Sequence, residues 1–197
     1  MGGRPGPDEP TRTGRSPRPA ERLLPVALLL AVLVLDGVIA VRHWPLPLLG
    51  GLDELAHLAT AGLLLTALLP ERRGRLRPWA LVGAVAIDID HVPMYCWDVG
   101  SASSGRPGTH SLAVVLVLLA AGTLSRRLRV PLCGLALGVL CHLVRDVATG
   151  PGVPLLWPLT GTSVSVPYVA HVAVLTSVAM AAAFWRGPST CAPDGAG

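Results

Sequence analysis

The chain has 197 residues, of which 51% are hydrophobic and only 14% charged, with a mean hydropathy of +0.57. An ordinary soluble domain is about a quarter charged, so a soluble globular enzyme is disfavoured, and the same apolar content excludes disorder over most of the chain. All 16 basic residues are arginine and the formal net charge is +4.

Residues 1–22 are rich in Pro, Gly and Arg with almost nothing apolar, and read as a disordered, basic tail. Residues 187–197 read the same way. Between the tails, apolar segments are predicted at 23–41, 46–70, 79–97, 112–124, 131–149 and 165–185, most of them near the ~20 residues that cross ~30 Å of hydrocarbon. The first carries Asp36 and lacks a small-residue cleavage site, so it reads as an uncleaved helix rather than a signal peptide. The fourth is short, and Thr109 to Ser111 are expected to begin its helix. The loop at 150–167 has four prolines and three glycines, which exclude a regular helix. Its Val153, Leu155, Leu156 and Trp157 are too apolar for a solvated loop, so it reads as a re-entrant lid or a packed interfacial hairpin. The expected fold class is all-α, a polytopic membrane protein of about six transmembrane helices. It divides into a tail (1–22), a first helix (23–45), a membrane-embedded domain (46–186) and a second tail (187–197).

The arginines set the orientation. Thirteen lie in the N-terminal tail, the loops at 72–77 and 126–129, and the C-terminal end, while only Arg42 and Arg106 lie in the opposite loops. Both termini in the cytoplasm satisfies the positive-inside rule at every loop. Trp44, Trp79, Trp97 and Trp185 fall at segment ends and Trp157 in an outer loop, as interfacial belts require. The four cysteines make no CxxC pair, and Cys133 and Cys141 lie roughly 12 Å apart along one helix, too far for a disulfide.

Acids and histidines in lipid-spanning segments are costly, at about 2.5–3.5 kcal/mol for an acid at the helix centre. Here they are numerous: Asp53, Glu54 and His57 in the second segment, Asp88, Asp90 and His91 in the third, His142, Arg145 and Asp146 in the fifth, and His171 in the sixth, with His110 just before the fourth. With the topology above, the four segments bring their costly residues to the outer half of the membrane, with His110 at the surface above them. His142 and Asp146 (i, i+4) share a helical face, as do Asp88 and His91 (i, i+3). Asp90 joins them only if the helix is distorted, and Pro93 is expected to supply the distortion. Neutral imidazoles with carboxylates suit a divalent ion such as Zn²⁺, Mn²⁺ or Mg²⁺. Asp36 reads as an interhelical hydrogen-bonding group and His171 as a core histidine, while His43 is uninvolved. Asp53 and Glu54 either orient the His57 ring or are interfacial. Arg145 either neutralises Asp146 or binds an anionic substrate.

The motifs AIDIDH (86–91), GTHSL (108–112), CHLVRDVAT (141–149) and GVPLLWP (152–158), with AHLATAGLL (56–64) upstream, resemble the YdjM-like family of LexA-regulated, inner-membrane metal-dependent hydrolases. The resemblance covers roughly 50–185, leaving the first helix outside it. It implies His57, Asp88, Asp90, His91, His110, His142 and Asp146 as metal ligands. Gly105 stands where such proteins usually carry a histidine.

The function expected is hydrolysis by water that the metal activates, at a site facing the extracytoplasmic side. Asp90 or Asp146 would act as general base, and Arg106 or Arg145 would hold a phosphoester or lipid substrate. The expected partners are the bilayer and a small-molecule or lipid substrate, with no nucleic acid. A divalent-cation transporter is the alternative, since intramembrane His and Asp also mark ion pathways. A catalytically inert membrane interaction protein accounts for the topology but not for the cluster. Reporter fusions after Arg77, Arg129 and Trp185 should report cytoplasm, and fusions near Ser103 and Thr162 the outside; the reverse at the two basic loops would overturn this topology.

Overall fold

The computed structural model describes residues 19–69, 71–92 and 106–184, and among them the regular structure is helical. Six α-helices follow in order: α1 (Pro19–Ala40), α2 (Leu46–Leu68), α3 (Arg77–Ala86), α4 (Leu112–Leu124), α5 (Arg129–Asp146) and α6 (Tyr168–Phe184). A 3₁₀ segment, Glu71–Leu76, leads into α3, and a second, Ile87–Asp90, continues it. The expectations resting on residues 1–18, Pro93, Cys96, Trp97, Gly105, Trp185, Arg186 and 187–197 lie outside the described residues.

Two expectations need correction. Residues 19–22 belong to α1 rather than to the tail: proline is tolerated in a first helical turn, and Ala20, Glu21 and Arg22 are good helix formers. Ser111 is extended (φ −144°, ψ 162°), so α4 begins at Leu112 rather than at Thr109 to Ser111. Among the described residues, only Arg22–Ala40 and Leu46–Leu68 are long and apolar enough to cross a membrane. The 13 residues of α4 span only about 20 Å at 1.5 Å per residue, and α3 tightens into a 3₁₀ turn after Ala86.

Helices α2 and α5 are central. Helix α2 packs against α1, α3, α5 and α6, and α5 packs between α3 and α4. One apolar cluster joins Leu63, Leu64, Ala80, Ala84 and Leu175 across α2, α3 and α6. A second joins Val115, Val139, Leu143 and Val153 across α4, α5 and the following loop. The outward faces are apolar too: Leu30, Val34, Leu116, Val117, Val174 and Phe184 are all exposed. A helix apolar on both faces suits a lipid surround.

Helices α3 and α5 pack closely, and glycine permits it. A Cβ on Gly83 would strike the Leu135 backbone, and one on Gly138 would strike the Ala80 carbonyl. Gly134 and Gly138 form a G-x-x-x-G stripe, the small-residue device that lets membrane helices meet backbone to backbone. The loop after α5 is a hairpin, turned by Gly150 (φ +93°) and Gly152 (φ +91°) and closed by a Val153–Val164 bridge. Leu112 N donates to Leu155 O (2.9 Å), pinning the hairpin to the start of α4. Val153 and Pro154 are buried, whereas Leu156, Trp157 and Leu159 are exposed.

Gly138→Val should therefore force α3 and α5 apart and destabilise the protein by about 1–3 kcal/mol, the usual cost of overpacking. Gly37→Ala, with no atom within 4 Å of the added carbon, should leave the melting temperature in detergent unchanged or raised. Equal melting of the two variants would contradict the close-packing account.

Candidate metal centre

Helix α5 contributes His142 and Asp146 one turn apart, both fully buried. The ring of His142 is fixed from behind: Nδ1 donates to Ala84 O of α3 at 2.7 Å. That bond leaves Nε2 as the outward atom, 2.9 Å from Asp146 Oδ2 and 3.4 Å from Asp88 Oδ1. From α2, His57 stacks on His142 with ring centroids 3.8 Å apart and planes 8° from parallel. Its Nε2 lies 3.3 Å from Asp146 Oδ1 and 3.7 Å from Asp53 Oδ2.

The Ile87–Asp90 turn brings the other acids in. At about three residues per turn, positions i and i+3 eclipse, so Asp88 and His91 stand on one side. Asp88 Oδ1 meets His110 Nε2 at 2.9 Å, His91 Nδ1 at 3.3 Å and His142 Nε2 at 3.4 Å. The distortion expected from Pro93 thus already lies in the 3₁₀ turn before it. Asp90 faces the same group: Oδ1 is 3.1 Å from His91 Nδ1, and Oδ2 is 3.2 Å from His110 Nδ1 and accepts from Thr109 Oγ1. His110 is completely buried in the turn before α4. Burial alone would lower its pKa, but the bonds to Asp88 and Asp90 outweigh burial and raise it above the ordinary histidine value.

The seven residues expected as ligands thus lie together, in two sets. Asp88, Asp90, His91 and His110 form one, and His57, His142 and Asp146 the other; within each set the donor atoms lie within 4.8 Å of one another. Separations of 2.9–3.7 Å between neighbouring donors bracket the ligand–ligand edge of a tetrahedron with ~2.05 Å bonds, about 3.3 Å. His57 Nε2, His142 Nε2 and Asp146 Oδ1 are buried without a hydrogen bond. Buried polar atoms are nearly always satisfied, so three such atoms converging on one point fit a cation between them. His171, also buried, belongs to neither set.

The arginines are arranged differently from the expectation. Arg145 does not neutralise Asp146. Its Nη1 donates to Asp36 (2.7 Å) and its Nη2 to Asp53 (2.9 Å). Asp36 also accepts from Tyr168 Oη at 2.7 Å. Arg106 takes the place expected of Arg145: Nη1 donates to Asp146 Oδ2 (2.6 Å) and Nη2 to Thr149 O (3.1 Å). Asp53 thereby bridges Arg145 and His57. Sequence reading missed Tyr168 and the partnership of Asp36 with Arg145, which are separated by 109 positions and carry no local signal.

The family described as YdjM inner membrane protein matches residues 52–194. The inner membrane protein YdjM of Escherichia coli (strain K12) is 36% identical over 98 residues, covering 41% of this chain and 48% of that protein. The YdjM protein of Shigella flexneri shows the same identity and coverage. The chain thus spans about half the length of these curated relatives. No solved structure matches it.

Arg145→Met would leave Asp36 and Asp53 without their shared cation and should destabilise the protein, by less than the ~3–5 kcal/mol of a fully buried pair because Asp53 is 38% exposed. Arg145→Lys should recover only part of this, since an ammonium lacks the planar fork that serves two carboxylates at once. Unfolding of the purified protein in detergent measures both; a Met variant as stable as the parent would contradict the network.

Proposed function

This chain belongs to the YdjM inner membrane protein family, and on that premise we propose that it is a membrane-embedded, metal-dependent hydrolase. The ligands are His57, Asp88, Asp90, His91, His110, His142 and Asp146. The observation that carries this is the convergence of three buried atoms without hydrogen bonds, one of them on a ring whose tautomer a backbone carbonyl fixes. Metal-ligating histidines commonly donate their other N–H to a carbonyl or carboxylate. Imidazole and carboxylate donors with no thiolate suit Zn²⁺, Mn²⁺ or Mg²⁺. Bound there, such an ion supplies Lewis-acid polarisation and water activation at neutral pH.

The remaining work falls to side chains. Asp90, at 19% exposure against 0% for Asp146, is the carboxylate better placed to accept a proton from water. Arg106 is anchored by Asp146 and Thr149 and keeps a buried Nε without a hydrogen bond, so it can donate to an anionic substrate oxygen. A cavity of 640 Å³ adjoins it, lined by Arg106, Arg145, Asp36 and Asp53 together with Leu33, Ile39 and Leu49. That combination suits an amphiphile such as a phosphoester lipid. If the chain crosses the membrane as its arginine distribution suggests, with both termini in the cytoplasm, this site faces the extracytoplasmic side.

His142→Ala should abolish both metal retention and hydrolysis of phosphoester substrates while the protein still inserts. His171→Gln should retain metal. Metal content and turnover of the detergent-purified proteins decide it. A parent protein that catalyses metal uptake into vesicles and hydrolyses nothing would replace this reading with a transporter.

A further inference from the structure

We propose that the centre holds two divalent cations rather than one, an inference that rests on the metal-dependent reading above. One lies in the set Asp88, Asp90, His91 and His110, and the other in the set His57, His142 and Asp146.

The first argument is donor number. Seven side chains exceed the four that a tetrahedral zinc site takes, and Mg²⁺ uses only one or two carboxylates and keeps several waters. The donors also divide spatially, each set being mutually close. The sets adjoin through Asp88 Oδ1 to His142 Nε2 (3.4 Å) and His110 Nε2 to Asp146 Oδ2 (3.7 Å), so Asp88 and Asp146 can each face both ions.

The second argument is the state of the buried donors: His57 Nε2, His142 Nε2 and Asp146 Oδ1 are buried without a hydrogen bond and belong to one set, while the other set has four mutually close donors of its own. The two sets also differ: four donors can close a tetrahedron, whereas three leave a position open for water or substrate.

The test uses the whole protein in lipid nanodiscs, loaded with Mn²⁺ and freed of excess metal. Metal analysis should find two ions per chain, and electron paramagnetic resonance should show an exchange-coupled pair. His57→Gln should keep one ion with the signal of isolated Mn²⁺; a variant still holding two would overturn the assignment of donors. One uncoupled ion in the parent protein would overturn the two-ion inference and leave the hydrolase reading standing. No bound ion at all would overturn both.

Discussion

The hydrogen bond from His142 Nδ1 to the carbonyl of Ala84 is the contact on which the rest of the site depends. It needs α3 and α5 to meet almost backbone to backbone, which Gly83, Gly134 and Gly138 allow by leaving no side chain between them. Once the bond is made, the imidazole has one tautomer and one direction, and its remaining nitrogen points at Asp146 and Asp88. His57 then stacks on that ring, and the 3₁₀ turn that ends α3 delivers Asp88 and His91 to the same place. A packing stripe between two helices is thus also what positions the chemistry.

Charge compensation is the second constraint. Asp36, Arg145, Asp53 and His57 form a chain of contacts from α1 to the metal-ligand candidates. Helix α1 lies outside the residues that the family matches, yet it supplies a carboxylate that engages Arg145. That leaves Asp146 to Arg106, which the 106–112 segment brings in together with His110. The hairpin supports this segment: Trp157 packs on Gly108, where a Cβ would meet the indole ring at 2.8 Å.

Much of this was legible as pattern. The i, i+4 spacing of His142 and Asp146 places both on one face whatever the tertiary context, and the G-T-H-S-L run marks a turn before a helix. Pairing across the fold was less legible. Which acid an arginine meets depends on which elements pack beside it: Asp36 lies 109 positions from Arg145, and Arg106 lies 40 from Asp146. Helix ends were less legible for a related reason: hydropathy over the segments at 79–97 and 112–124 does not distinguish helix from the 3₁₀ turn Ile87–Asp90 or from the extended Ser111 that precedes α4.

X-ray absorption at the edge of the bound metal, on protein held in nanodiscs, tests the central claim most directly. The account predicts a first shell of nitrogen and oxygen, with the outer-shell scattering of coordinated imidazole and no sulfur. A shell of oxygen alone, without imidazole scattering, would place the metal elsewhere and contradict a centre built around His142.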